Sequence, residues 1–356
     1  MAAPLRPYVE AHTLAGAVTL VADRDRVLDR SAVGFADVAA GRAMTTDCLF
    51  WIASQSKPIT AAALMMLVDE GKVALDDPVA RFLPEFQDTW VVAERDDQHL
   101  ALRRPSRPIS VRDVLSHTSG LAFSSKLETP TLDGLALRDA VRSYAMTPLL
   151  FDPGAKYRYS NAGINTVGWI IEVVSGQPYE AFLRSRLLEP LGMVDTTFRP
   201  TAAQLRRLAR SYKPGAGGSG LAETTIGQLR HPLDDPARQP MPAGGLFSTA
   251  EDVARFCRMV LNDGTLDGRR YLSEASVHAM TTRQTPPALQ DSYGLGWSVN
   301  GPSVGHGGAF ATSMTVDRAR GLVTIYLVQH DGFPGDGQGA RLAFEAAAIA
   351  RFAPKR

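Results

Sequence analysis

Trp51-Ile-Ala-Ser54-Gln-Ser-Lys57-Pro58 reads as the end of a buried strand, a serine, a lysine three residues on, and the start of a helix. Cys48 to Ala53 is apolar, and Ile59 to Val68 is rich in Ala, Leu and Met, residues of high helix propensity. Pro58 locates the junction. Inside a helix a proline removes a hydrogen bond and collides with the preceding turn, so it belongs in the first turn, whose N–H groups lack partners anyway. Ser54 therefore falls at or near a helix N-terminus, among unpaired amides and at the positive end of the dipole. Residues three apart share a helix face, so the Lys57 amine can approach the Ser54 hydroxyl. A serine hydroxyl is a poor nucleophile until a base takes its proton. A lysine can be that base only when neutral, which requires desolvation or a nearby cation. Taken alone, the same spacing also fits a capping serine beside a solvated lysine.

The chain around this stretch has 356 residues, enough for one large domain or two intertwined ones. Its formal net charge is +1, with no basic run and no acidic tail, so neither nucleic acid nor a charged membrane surface is implied as a partner. Cys48 and Cys257 are far apart and each sits in an apolar segment, which reads as two buried small side chains rather than a disulfide framework or a thiolate metal site. No stretch approaches the roughly 20 apolar residues of a membrane span. Met1 to Thr13 does not have the pattern of a signal peptide, so a cytoplasmic protein, or a trimmed secreted one, is expected.

Taken in order, Ala15 to Ala22 and Val27 to Phe35 predict a hairpin around the Asp23–Arg26 turn. Cys48 to Ala53 predicts a third strand, followed by a helix from Ser54 to about Glu70 that stops at Gly71. Asp76-Asp-Pro-Val79 opens a loop-rich region. Ser110-Val-Arg-Asp113 has the form of a capping box before a short helix ending near His117. Helices are expected over 134–144, over 162–174 with Gly176 as the stop, and over 178–188. Ser248-Thr-Ala-Glu251 predicts a second capping box opening a helix to Leu261, and 273–280 another helix. Strands return at 293–299, 311–317 and 322–329, and an Ala-rich helix over 340–352 ends the chain. The simplest architecture is α/β (α+β): residues 1–70 and 245–356 form an α/β domain, and residues 71–244 form an inserted, mostly helical one. A site in the cleft between them is expected.

Two further stretches carry chemistry. Tyr157-Arg-Tyr159-Ser160-Asn161 follows a Pro-Gly turn and precedes a helix. Such a junction can point Tyr159 and Asn161 into a cleft, though Asn161 also reads as a helix N-cap. Gly305-His306-Gly307-Gly308 lies beside a strand, where small residues permit close backbone approach by a ligand and a strand-edge N–H can donate to an oxyanion. A glycine hairpin with a surface histidine fits the same residues. Other motifs fail. Gly215-Ala-Gly217-Gly-Ser-Gly220 spells a dinucleotide fingerprint but follows no apolar strand, and neither a G-x-S-x-G elbow nor a paired metal-ligand spacing occurs.

Together, S-x-x-K at Ser54 and Lys57, Y-x-N at Tyr159 and Asn161, and H-x-G at His306 and Gly308 resemble the serine β-lactamase and penicillin-binding protein superfamily. The resemblance is closest to the class C β-lactamase-like group, and within it to the family VIII carboxylesterases. It extends over nearly the whole chain, through Leu75-Asp-Asp-Pro-Val79, Leu115-Ser-His-Thr-Ser-Gly-Leu121, Leu188-Glu-Pro-Leu-Gly-Met193, Gly244-Gly-Leu246 and Tyr293-Gly-Leu-Gly-Trp297. It implies an antiparallel sheet flanked by helices. It also implies Ser54 as the acylated nucleophile, Lys57 as its partner, and Tyr159 as general base for acylation and proton donor to the leaving group. By the same resemblance, Asn161 contacts substrate or Lys57, and the N–H groups of Ser54 and Ala309 form the oxyanion hole. His306, Gly307 and Gly308 line the substrate strand, and no metal or cofactor is required.

His306 stands where class C enzymes of this superfamily carry a lysine. A histidine, with a reference pKa of about 6.5, is largely neutral near pH 7, which weakens a carboxylate anchor and favours neutral esters. The expected activity is hydrolysis of short-chain carboxylic esters through an acyl-enzyme, with side activity on β-lactams compatible with it. A β-lactamase, a D-amino-acid amidase or D,D-peptidase, and an acyltransferase share the same residues and stay open. A non-catalytic homologue is the reading from a different class. The segment 122–131 is expected to shape the acyl pocket.

Overall fold

The small and β-branched residues after Ala15 form strand β1 (Gly16–Ala22), buried along its whole length. The Asp23 carboxylate accepts from the N–H groups of Asp25 and Arg26 at 2.8 and 2.7 Å and closes the turn into β2 (Val27–Asp37), followed by β3 (Arg42–Ala43). The computed structural model describes residues 1–354. In it these strands join four from the C-terminal region: β4 (Ser298–Asn300), β5 (Ser303–Gly307), β6 (Ser313–Asp317) and β7 (Leu322–Leu327). The order is β4-β5-β6-β7-β1-β2-β3, antiparallel throughout, with Val18 opposite Leu327 and His306 opposite Met314.

The helix predicted after Ser54 begins as a single 3₁₀ turn, Ala53–Gln55, that runs into α1 (Ser56–Asp69). Pro58 occupies the third residue of α1, where no amide partner is lost. Further helices are α2 (Val111–Leu115), α3 (Leu137–Ala145), α4 (Asn161–Ser175), α5 (Ala250–Leu261) and α6 (Gly339–Phe352). α5 packs across β1, β6 and β7 on one face of the sheet, and α6 covers the other, where Phe344 stacks on Tyr326 at 6.2 Å. α4 packs on α1, α2 and α3, which carries the residues before it towards the Ser54 turn. Residues 71–244 add no strand to the main sheet. Among the described residues no helix is long and apolar enough to cross a membrane.

Several local expectations change. Of the strand expected over 48–53, only Phe50–Trp51 forms a ladder, with Phe247–Ser248 and outside the main sheet, while Leu49 makes an isolated bridge to Leu208. The strand expected from 293 begins at Ser298, because Gly296 takes φ +78° and the chain before it crosses over α1. β5, which carries His306, has no sequence signal beyond its glycines. Two hairpins, Val91–Arg95 with Leu100–Arg103 and Ser211–Pro214 with Leu221–Thr224, interrupt the segment expected to be helical. Both are exposed or half-buried ribbons without a clean apolar alternation. The capping box at Ser110 and Asp113 forms. The one expected at Ser248 and Glu251 does not. Ser248 is held in the ladder with Phe50 and pairs with the Thr196 hydroxyl at 2.8 Å, so Thr249 caps α5 by accepting from the Asp252 N–H. Asn161 is likewise not a cap: Ser160 caps α4, accepting from Gly163 N–H at 3.1 Å, and the Asn161 side chain is free for another partner.

Candidate active site

Ser54 sits in the first turn after the Phe50–Trp51 strand, where leading amides have no intrahelical partner. The residue before it, Ala53, is held at φ +46°, a left-handed conformation that costs a non-glycine residue about 1–2 kcal/mol. Neighbouring bonds enforce it. The Ser56 hydroxyl donates to the Ala53 carbonyl at 2.6 Å and accepts from Leu246 N–H at 3.2 Å, and Ile52 N–H donates to the Leu246 carbonyl at 3.0 Å. Ser56 is thereby consumed in the scaffold, buried and doubly bonded, while Ser54 opens into a cavity.

Lys57 is fully buried. Its Nζ lies 2.7 Å from Asn161 Oδ1, 2.7 Å from the Ala243 carbonyl oxygen and 3.1 Å from Ser54 Oγ. No carboxylate is among these partners. Burial therefore pushes the amine well below its ordinary pKa, towards the neutral form. A neutral amine has two N–H donors and one lone pair. In that form Asn161 and Ala243, pure acceptors here, take the two donors and the lone pair faces the Ser54 hydroxyl, whereas the ammonium donates to all three oxygens.

Tyr159 arrives on the loop before α4, and its ring lies 4.6 Å from the Lys57 Nζ. Burial raises the phenol's pKa well above its usual value, an effect partly opposed by the Ser54 hydroxyl, so at neutral pH the phenol keeps its proton. Phe123 stacks beside it at 6.4 Å between ring centres, from the 122–131 segment expected to shape the pocket. Ser54, Tyr159, Asn161 and Ala309 all line one cavity of about 250 Å³, closed by Trp51, Phe123, Met241 and Gly244. Trp51 is fixed by donation from its indole N–H to the Gly244 carbonyl at 2.7 Å. Among the described residues the Ala309 N–H makes no hydrogen bond.

The glycine-flanked histidine is placed differently from the simplest expectation. His306 is buried on β5 and is absent from the walls of this cavity, as are Gly307 and Gly308. Its Nδ1 lies 2.7 Å from the Gly307 carbonyl, which can only accept, so Nδ1 carries the proton. Nε2 then accepts from the Tyr293 hydroxyl at 3.0 Å. Burial and the nearby Lys57 push its pKa down to about 3. The ring is a neutral structural element with both nitrogens in use.

Sequence reasoning singled out Ser54, Lys57, Tyr159, Asn161 and Ala309, and the structure brings all five together. It missed the Ala243 carbonyl, the enclosing Trp51 and Met241, and Tyr293. A backbone carbonyl has no residue-type signature, and the aromatic side chains are indistinguishable in sequence from core.

A family model described as Beta-lactamase matches residues 1–348. Esterase EstB of Burkholderia gladioli is 31% identical over 95% of this chain and 91% of its own length. Penicillin-binding protein 4 of Amycolatopsis lactamdurans is 33% identical over 84% of this chain and 76% of its own. Among solved structures, EstCE1, described as a hydrolase with promiscuous acyltransferase activity, superposes with a TM-score of 0.81 at 24% identity, covering 97% of this chain and 96% of that one. With the family match over nearly its full length and a lysine buried against a cavity-lining serine, this chain belongs to the beta-lactamase family and its serine hydrolase superfamily.

Proposed function

We propose that the protein hydrolyses short-chain carboxylic esters through an acyl-enzyme on Ser54. The observation that carries the substrate class is the chemistry of the cavity wall. No charged side chain lines the cavity among the described residues, and the histidine at the family's cationic position is neutral and internally bonded. Substrates whose recognition needs a carboxylate anchor find no cation there, whereas a neutral ester with a small apolar acyl group meets Trp51, Phe123 and Met241. The esterase among the relatives supports this choice.

In this reading the Ser54 hydroxyl gives its proton to the Lys57 lone pair as its oxygen attacks the carbonyl carbon. The oxyanion is held by the N–H groups of Ser54 and Ala309, and one such donor contributes about 3 kcal/mol to the transition state. The alkoxide then departs and takes a proton from the Tyr159 phenol, which is replenished from the Lys57 ammonium. Lys57 here takes the general-base role that the resemblance implied for Tyr159, because burial lowers the amine's pKa towards the neutral form and raises the phenol's. Water enters by the same proton path in reverse and releases the acid.

The test is a panel of p-nitrophenyl acetate and butyrate, a D-amino-acid amide and nitrocefin, run with wild type and Ser54→Ala. Ester turnover should dominate and vanish in the variant, and intact-mass spectrometry should find the acyl group on Ser54. Background ester rates with rapid nitrocefin or amide turnover would overturn the substrate class. Background rates on the whole panel would overturn the hydrolase reading.

A further inference from the structure

His117 takes no part in the mechanism above, yet it touches both sides of the residue that does. It lies just beyond α2, which is anchored by the Ser110–Asp113 capping box and by Arg107, whose guanidinium donates to Asp113 Oδ1 at 2.9 Å. The turn is tied down after it as well: Thr118 N–H donates to the Asp113 carbonyl at 2.9 Å, and the Thr118 hydroxyl donates to the Asp113 carboxylate at 3.1 Å. From this fixed base the His117 carbonyl accepts from Arg158 N–H at 2.9 Å, and its ring Nδ1 accepts from Ser160 N–H at 3.2 Å. Arg158 and Ser160 are the two neighbours of Tyr159. The imidazole also packs on the Tyr159 ring, with centres 4.6 Å apart, and on the Tyr293 ring at 4.7 Å. Tyr293 in turn donates to His306.

The arrangement is energetically costly. His117 holds φ +62°, in the left-handed region. Because Nδ1 accepts, the ring proton is on Nε2, which is buried without a hydrogen-bond partner among the described residues, an uncompensated desolvation. A leucine or phenylalanine would fill the space without that second cost. What the imidazole adds is the Nδ1 acceptor, aimed at the peptide that follows Tyr159.

We infer that His117 is a positioning residue for Tyr159, holding the backbone on both sides of it so that the phenol stays within proton-transfer reach of the Ser54–Lys57 pair. The inference rests on the acyl-enzyme reading. The phenol is the far end of a long side chain, so a small backbone rotation is amplified at its oxygen. A displacement of 1 Å in a reacting group can cost about 100-fold in rate.

Two variants isolate the side-chain acceptor. His117→Gly accepts the left-handed backbone and keeps the carbonyl bond to Arg158 but loses Nδ1. His117→Asn also accepts that backbone and restores a side-chain acceptor. Each is measured for kcat and KM on ethyl butyrate, whose leaving group needs the Tyr159 proton, and for the rate and stoichiometry of Ser54 labelling by a fluorophosphonate, with kcat expressed per labelled site. The Gly variant should label to full stoichiometry at a rate near wild type, because fluoride leaves without the Tyr159 proton, but its kcat should fall about 10- to 100-fold with KM little changed. The Asn variant should recover to within a few-fold of wild type. A kcat per site in the Gly variant within two-fold of wild type, or an Asn variant as slow as Gly, would overturn the inference. Labelling needs only an activated Ser54. A wild type that labels yet ignores esters therefore defeats the substrate reading, whereas a wild type that hydrolyses ethyl butyrate beside an equally fast Gly variant defeats only the positioning inference.

Discussion

At the residue scale the site turns on the protonation of Lys57. Its three hydrogen-bond partners are uncharged oxygens, so no carboxylate offsets the desolvation of the ammonium, and burial lowers the pKa of the amine towards the neutral form. Asn161→Asp is nearly isosteric and places a negative charge where Oδ1 now lies, 2.7 Å from Nζ. The carboxylate should stabilise the ammonium and raise the pKa of Lys57. The acid limb of the kcat/KM profile should then shift to higher pH, with activity at pH 7 reduced at least ten-fold and partly recovered in alkaline buffer. A profile with an unmoved acid limb would show that Lys57 is not the base. Tyr159→Phe removes the proton returned to the leaving group and should lower kcat by about 10²–10⁴-fold. The loss should be smaller for p-nitrophenyl esters, whose leaving group needs little protonation, than for ethyl esters. Equal losses on both would separate the phenol from leaving-group chemistry.

At the element scale, α1 is seated from behind by the segment before β4. Gly296, at φ +78°, donates to the Leu115 carbonyl at 3.0 Å. A Cβ built there would stand 2.8 Å from the Ala61 Cβ and 3.0 Å from the Lys57 carbonyl oxygen. Gly296→Ala combines backbone strain with overpacking and should cost about 2–4 kcal/mol. That would appear as a Tm lower by several degrees, and the overpacking pushes on the turn of α1 that carries Lys57. Activity per fluorophosphonate-labelled site should therefore fall as well, and a Tm equal to wild type would refute the packing argument. Helix starts were legible in sequence where a capping box or a first-turn proline marks them, as at Ser110 and at Pro58 respectively. They were misassigned where a serine was claimed by something outside its own helix, as at Ser248, whose strand partner Phe50 lies about 200 residues earlier.

At the scale of the whole molecule, three histidines are buried as neutral rings: His117, well below its usual range, His306 at about 3 and His330 at about 4. Each binds a proton more readily unfolded than folded. Each therefore contributes stability that is present above pH 6.5 and is lost as pH falls towards the folded value, at about 1.4 kcal/mol per pH unit. Asp252 and Glu128, whose carboxyls burial raises, the first to about 6, gain stability over the same descent and offset part of the loss. The urea midpoint should fall markedly between pH 7 and pH 5, by several kcal/mol of unfolding free energy, and an unchanged midpoint would contradict the burial of these rings as neutral groups. The sequence by itself determined the local grammar: the β1–β2 hairpin, the proline-marked start of α1, the capping box at Ser110, the glycine stop at Gly176, and the motif residues Ser54, Lys57, Tyr159 and Asn161. These depend on neighbours within a turn or on residue type, which a linear chain displays. Only the tertiary structure decided that Ser56 is scaffold and Ser54 is open, that the third partner of Lys57 is the Ala243 carbonyl, that His306 spends both nitrogens on its own surroundings, and that His117 grips the peptides flanking Tyr159. Each of those depends on desolvation or on a backbone group brought from a distant segment, and neither leaves a mark on the residue that it governs.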